Sequence, residues 1–440
     1  MKCIKFIHCA DLHLDTPFVS LETDGNYNGS YALRSKATIR RADLKSTFEK
    51  IAEMSQKEKA DFIFICGDLY EHNYVRKSTI YFINDVFKSI SDTKVIIIPG
   101  NHDPWVKGSF YREFKWAENV YILAGEKSYL YFEEEGVCVY SINAFSDALS
   151  CRSNFDSELE TKCDYPSCSS KSEIDISINY ELINVLLAHG TVDFNIDKNN
   201  GASFSGKELE MLGMDYVALG HFHRRNDNIK NFGIIYNPGS PEPLGFDEPG
   251  EHGIYVGSIL KKSFNEKNLD IKYIPINKKR YETLKIDVTN CKTDESIIDE
   301  ISKAIEKIYY KSNLPNTIKI EDNTIELYDN NNGSINNFMS SLLVNIVLCG
   351  YIKPDFNVDV EHILSYFENK LFFLKIENKT ALAYDFSEIK NEKGLRGLFA
   401  KKMLCLIEKA QDEHEKELLT KSLYYGMQAI DEGRINLLFN

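Results

Sequence analysis

Nine side chains in five short blocks have the types that metal-assisted chemistry needs. They are Asp11 and His13; Asp68; Asn101, His102 and Asp103; His189; and His221 and His223. Each block stands just after an apolar run, and the blocks hold five of the ten histidines in the chain. Carboxylates, imidazoles and an amide oxygen together suit manganese, iron or zinc better than a cysteine-based structural site does. A set of this size is too large for one catalytic ion, which must keep an open coordination position. It suits two ions about 3.5–4 Å apart with a shared ligand and a bridging water.

The elements that must position these residues can be read from the apolar pattern. Asp61-Phe-Ile-Phe-Ile-Cys-Gly-Asp68 is a buried strand of a parallel sheet, closed abruptly by Gly-Asp. Ligands collect at the carboxyl ends of such strands, which is where Asp68 is delivered. Cys3 to Ala10 and Val95 to Ile98 are two further strands, ending at Asp11-Leu-His13 and Pro99-Gly-Asn-His-Asp103. A polar loop, Asp24 to Ser30, precedes a helix from about Arg40 with Leu44, Phe48, Ile51 and Met54 at helical spacing. Another helix covers Ser78 to Ile90, with Ile80, Ile83, Phe87 and Ile90 on one face. The strand–helix rhythm implies right-handed crossovers and a mainly parallel sheet.

After Trp116 strands dominate: Val120–Leu123, Tyr129–Phe132, Val137–Ile142, Asn184–Ala188, Tyr216–Gly220, Gly233–Tyr236, Gly253–Ser258 and Ile271–Ile274. Their alternation predicts a second sheet packed on the first. The pattern breaks around Pro275 to Lys279, giving expected domains of residues 1–275, 276–385 and 386–440. The middle domain is expected to be a small α+β unit. Its strands are Thr283–Val288 and Thr317–Ile320, with helices at about Glu295–Tyr310 and Ile335–Cys349. The last segment carries two helical stripes, Leu395 to Ile407 and Leu419 to Ile430, which pack on their own domain or dock a partner.

Composition bounds the function. With 440 residues and 43% hydrophobic content, the chain can bury two or three cores. A formal charge of −14 argues against a surface coated for non-specific nucleic-acid binding. It leaves room for a local cationic site, and Arg224-Arg225, directly after the last block, is placed to touch phosphate. Arg34, Lys36, Arg40, Arg41 and Lys45 read as a solvated helix face or as contacts to a DNA backbone. Ten cysteines in this length are no disulfide scaffold; Cys66 and Cys138 read as small hydrophobes. Cys151, Cys163 and Cys168, in a Ser-rich insertion loop from Ala148 to Asp175, lack the C-x2-C spacing of a zinc site. No signal peptide is read at the N-terminus, and the longest apolar run, Leu342 to Ile352, is too short to span a bilayer. A cytoplasmic protein with no membrane partner is expected.

Taken in order, Asp11-x-His13, Gly67-Asp68, Gly100-Asn-His-Asp103, His189-Gly190 and Gly220-His-x-His223 resemble the motifs of the calcineurin-like metallophosphoesterase superfamily. His8-Cys-Ala-Asp-Leu-His-Leu-Asp15, Gly67-Asp-Leu-Tyr-Glu71, Tyr216-Val-Ala-Leu-Gly-His-Phe-His223 and Asn237-Pro-Gly-Ser240 are similar to the SbcD/YhaO-type DNA repair exonucleases, over roughly residues 1–260. The resemblance implies a two-sheet α/β sandwich flanked by helices, with a smaller α+β C-terminal domain and terminal helices. It implies that Asp11, His13 and His223 hold one ion, that Asn101, His189 and His221 hold the other, and that Asp68 bridges them. A carboxylate has lone pairs for two metals, whereas an imidazole nitrogen serves one. The ions implied are divalent: manganese first, with iron or zinc as alternatives.

The resemblance also implies that His102 stabilises the transition state or protonates the leaving oxygen, with Asp103 orienting it. His8 is expected to pack in the core. Some relatives carry a His three residues after the bridging Asp, where this chain has Glu71 followed by His72. The activity implied is DNA hydrolysis by an exonuclease in DNA repair, partnered by an SMC-like ATPase and compatible with a homodimer. Two alternatives stand beside it: a small-molecule or nucleotide phosphodiesterase, and an adaptor for an ATPase with a structural metal site. The text Gly67-Asp-Leu-Tyr-Glu-His-Asn73 lacks the Arg-Gly of the superfamily's protein phosphatases.

Overall fold

The computed structural model describes residues 1–21, 30–142, 178–193, 202–227, 229, 232–313, 332–353 and 356–433. The chain divides into two compact units, Met1–Arg280 and Tyr281–Asn440. Most of the Asp24–Ser30 loop, the Ala148–Asp175 insertion with its three cysteines, and the expected strand Thr317–Ile320 lie outside the described residues.

The first unit is a two-sheet sandwich. β1 (Lys2–Cys9), β2 (Phe62–Cys66), β3 (Lys94–Ile98) and β4 (Val120–Ile122) run parallel in that order. Two helices, α1 (Ser30–Glu58) and α2 (Lys77–Ser89), make the crossovers. The second sheet comprises β5 (Tyr129–Phe132), β6 (Val137–Ser141), β7 (Ile183–Val192), β8 (Ala202–Phe204), β9 (Tyr216–Gly220) and β10 (Ile235–Tyr236). In it β6, β7, β9 and β10 are parallel, and β5 closes the edge antiparallel to β6. β11 (Gly253–Ser263) and β12 (Glu266–Pro275) do not extend this sheet, as their alternation had suggested. They form a hairpin that returns to the first sheet, with β11 antiparallel to β1.

Strand periodicity explains the layers. Phe62, Phe64 and Cys66 face the sandwich interior with Phe6 and Ile96, against Val139, Val185, Leu187, Tyr216 and Ala218 of the second sheet. Ile63 and Ile65 alternate to the other face, so all of β2 is buried. Leu44, Phe48 and Ile51 of α1 and Ile80, Ile83 and Phe87 of α2 are buried too, as a sheet covered by helices requires. Cys66 and Cys138 are buried free thiols.

The second unit has its own cores. β13 (Arg280–Asp287), β14 (Leu342–Cys349) and β16 (Phe373–Asn378) form one sheet, with β14 and β16 parallel; β15 (Tyr351–Ile352) pairs with β17 (Ala381–Leu382). The helix Asp294–Asn313 buries Ile297, Ile301 and Ile305 against Val344, Ile346 and Leu348 of β14. A helix expected over Ile335–Cys349 ends at Met339, and its second half is β14, the central strand. A run buried on both faces has no period to betray it, and tertiary packing decided between helix and strand. The final helices, Leu395–Glu408 and Glu413–Glu432, pack through Ala400, Leu423 and Met427, and Tyr424 lies 5.2 Å from the Tyr351 ring. No helix among the described residues is long and apolar enough to cross a membrane.

Candidate metal centre

Parallel strands put their carboxyl ends on one edge, and the polar blocks gather there. Asp11 and His13 follow β1, Asp68 follows β2, Asn101 to Asp103 follow β3, and His221 and His223 follow β9. His189 is inside a strand, not after one: β7 runs on to Val192 because Gly190–Val192 pair with β8. Asp11, His13, Asp68 and His221 all adopt left-handed backbone, with φ of 54°, 47°, 53° and 91°. Non-glycine residues rarely adopt it, and such strain gathers at functional sites. Two glycines allow the crowding. A Cβ on Gly100 would stand 2.2 Å from Asp68 Oδ1, and one on Gly220 would stand 2.0 Å from the Cys66 carbonyl oxygen.

Among the described residues three clusters of donor atoms result: one joins His13, Glu71 and His102, and the other two share Asp68. In one, single ligand atoms of Asp11, His13, Asp68 and His223 all lie within 4.8 Å of one another. His13 Nε2 is 3.1 Å from His223 Nε2 and 3.7 Å from Asp68 Oδ2. In the other, Asp68, His189 and His221 meet the same limit. Asn101 Oδ1 joins them, 2.9 Å from His189 Nε2 and 3.1 Å from His221 Nδ1. His189 Nε2 is 3.3 Å from Asp68 Oδ2. All seven residues expected to bind metal thus meet at one place.

What holds the rings was not visible in the motifs. His13 Nδ1 donates to Glu71 Oε1 at 2.8 Å, and His223 Nδ1 donates to Glu248 Oε1 at 2.6 Å. His189 Nδ1 donates to the Cys66 carbonyl at 2.8 Å. An oxygen acceptor behind Nδ1 fixes the tautomer and turns the Nε2 lone pair toward the cluster, as in metal-ligating histidines. That donor set, with a shared carboxylate and inward lone pairs, fits two divalent cations. Glu71 stood in the sequence only as a departure from the motif of some relatives. Glu248, 25 residues beyond His223, carried no signal in the sequence.

Glu71 also corrects the expectation for Asp103. The nitrogen that orients His102 is its Nδ1, held by Glu71 Oε2 at 3.0 Å. Asp103 makes no hydrogen bond to His102. Its buried carboxylate accepts from Gly100 N, Asp68 N, Leu69 N and Tyr111 Oη, at 2.6, 3.1, 2.6 and 2.6 Å. It is a clamp on the two loops, saturated by four donors. His102 instead touches Asp68 through its own backbone, N to Oδ1 at 2.8 Å.

Electrostatics follow from this packing. Burial opposes the charges of Glu71 and Glu248, yet hydrogen bonds from His102 and His13, and from His223, bring each down to about 2. Burial likewise opposes a charged His223, but Glu248 and Asp11 raise it to about 10. Asp68 acts on His189 in the same way, to about 9. Burial and the charge of Asp68 push Asp103 up to about 7. His102 is raised, chiefly by its bond to Glu71. His221 is lowered by its own burial and by the His189 charge.

The basic residues divide. Arg224, exposed beside His223, donates through Nε and one terminal nitrogen to the Asp247 carbonyl. Arg225 is engaged elsewhere, against expectation: it pairs with Asp227 and lies 4.0 Å from the Tyr273 ring centre. Arg40 is neither solvated nor at the site. It is fully buried, paired with Glu242 and Asp43 at 3.0 Å each. The Arg34 side chain lies outside the described residues. His8 packs in the core as expected, between Tyr216 Oη and the Leu219 carbonyl, and burial lowers its pKa to about 3.

Comparison with known proteins agrees with this geometry. The calcineurin-like phosphoesterase profile matches residues 4–225. YhaO of Bacillus subtilis, an uncharacterized metallophosphoesterase, is 26% identical over 320 residues, which cover 70% of this chain and 69% of that protein. The SbcD component of the nuclease SbcCD from Staphylococcus epidermidis is 25% identical over 350 residues, covering 74% and 82%. The crystal structure of TT1561 of Thermus thermophilus matches with 12% identity and a TM-score of 0.30, over 61% of this chain and 98% of that one. A family match spanning half the chain, laid over strand ends that bring its motifs to one shared carboxylate, makes this protein a calcineurin-like metallophosphoesterase of the SbcD/YhaO type.

Proposed function

We propose that the chain is a two-metal phosphodiesterase that hydrolyses DNA, an exonuclease of DNA repair working with an SMC-like ATPase. The observation that carries the reading is the Asp68 carboxylate, which belongs to two donor clusters while His102 stands beside it. Asp11, His13 and His223 would hold one ion and Asn101, His189 and His221 the other, with Asp68 in common. Manganese is the first candidate for both. Bound there, divalent cations would supply positive charge to a phosphate and lower the pKa of water toward neutrality.

The chain's own groups do the rest. His102, tied at Nδ1 and with a side chain 44% exposed, has its Nε2 proton left for a leaving oxygen. Asp103 fixes the loops from which Asp68 and His102 project. Arg224 offers its remaining N–H groups to a phosphate beside His223. DNA as substrate and an ATPase as partner are supported by the relative that is one component of the nuclease SbcCD. The partner reading gains from Leu395 and Leu398, 71% and 67% exposed on the penultimate helix.

The test is cleavage of end-labelled single- and double-stranded DNA with manganese, zinc, iron and magnesium, beside a His102→Ala variant. Metal-dependent cleavage that falls by about 10²–10⁴ in the variant is expected. Equal inertness of both proteins would favour the adaptor. Rapid hydrolysis of a nucleotide diester with DNA untouched would favour a small-molecule phosphodiesterase.

A further inference from the structure

The two halves of the centre are not equivalent. Behind the rings of His13 and His223 stand two largely buried glutamates, Glu71 and Glu248, with side chains 15% and 7% exposed. Both are held from several sides. Glu71 also accepts from His102 Nδ1 and from Thr16 Oγ1. Glu248 accepts from Ser240 Oγ at 3.0 Å and Leu244 N at 2.9 Å. Neither carboxylate can turn away from its ring without breaking those bonds. Asp11 and Asp68 add two more carboxylates to this half.

The other half is backed differently. His189 has a neutral peptide carbonyl behind it, that of Cys66. His221 faces Asn101 through Nδ1, and among the described residues no acceptor stands behind its Nε2. Asn101 brings a neutral amide, so Asp68 is the sole carboxylate of that cluster. A carboxylate behind an imidazole raises the basicity of the ligating nitrogen and fixes the ring, and losing one typically costs 10–100-fold in metal affinity.

We propose that Glu71 and Glu248 are positioning residues that make the Asp11–His13–His223 half bind its ion more tightly, so that the two ions load in order. The inference rests on the two-metal reading above and adds a consequence to it. One ion is resident; the other, in the half with the single, shared carboxylate, exchanges with free metal and sets how much of the protein is competent. Glu71 links the resident half to catalysis as well, because its second oxygen orients His102.

The experiment is titration of the metal-free, full-length protein with Mn(II) alone, with free ion counted by electron paramagnetic resonance. Two classes of site separated by at least about 10-fold are expected. Glu248→Gln and Glu71→Gln should each weaken the tight class by about 10–100-fold and leave the weak class where it was. Asn101→Ala should weaken only the weak class. A general folding defect would shift both classes together, so the split itself separates positioning from damage. Two equal classes in the parent protein would overturn the inference, as would glutamine variants that weaken the class Asn101→Ala weakens. Failure to bind any ion, or saturation at one, would overturn the two-metal reading itself.

Discussion

The two units are built from the same parts and use them differently. Both pair parallel strands, β1 to β4 and β7 with β9 in the first, β14 with β16 in the second. In the first unit, left-handed backbone falls on eight described non-glycine residues; Asp11, His13, Asp68 and His221 each put a side chain into a donor cluster, while Asp15, Phe18, Lys59 and Asp193 do not. Among the described residues of the second unit it falls only on glycines: Gly350, Gly394 and Gly433. A non-glycine residue there costs roughly 1–2 kcal/mol. Strand ends therefore offer a location, and four of the donor side chains of the first unit are held there in strained backbone. The second unit has relaxed turns at its strand ends and is organised around its cores.

The sharpest way to test that contrast is Asp68→Asn. Asparagine tolerates left-handed backbone, so the fold should persist by circular dichroism while both halves of the centre lose their common anion. Hydrolysis is expected to fall further than the about 10²–10⁴ loss set for His102→Ala. A variant that kept most of its activity would break the claim that Asp68 organises the site. The counterpart in the second unit is Ile346→Ala, in a strand buried on both faces. It should cost about 2–5 kcal/mol in thermal or urea unfolding and leave Mn(II) stoichiometry unchanged.

Two alanine substitutions at crowded glycines make a closer comparison. Gly100→Ala should weaken metal binding, since its Cβ meets Asp68 Oδ1 at 2.2 Å. Gly350→Ala, at φ +93° and 2.1 Å from Asp287 Oδ1, should lower stability by at least about 1–2 kcal/mol and spare metal binding. The last comparison is a pH dependence. His8 has a folded pKa of about 3, below its usual 6.5, so the unfolded chain takes up the proton first. Its contribution is whole above pH 6.5 and erodes by roughly 1.4 kcal/mol per pH unit as pH falls toward 3. Urea midpoints at pH 7 and pH 5 should differ less in His8→Gln than in the parent.

What could be read from the sequence follows the same division. The strand ends of the first unit were legible because an apolar run closed by Gly-Asp or Gly-Asn-His-Asp shows both the strand and its cargo. The seven expected ligands converge for that reason. Glu248 was hidden because nothing local marks a carboxylate that works across 25 residues. The partners of Asp103 and Arg225 were hidden although some stand close in sequence, because a charge written beside a motif does not say which way it turns. Leu342 to Cys349 was misread because continuous apolarity suits a helix and a doubly covered strand equally.

The contact between Gly220 and the Cys66 carbonyl has one more consequence. There main chain packs against main chain one residue before His221 and two before Asp68, with no room for even a methyl group. Backbone packed this closely offers substitution no handle on selectivity. Attempts to alter which phosphate esters the centre accepts should begin instead at exposed side chains beside it, such as Arg224 and His102.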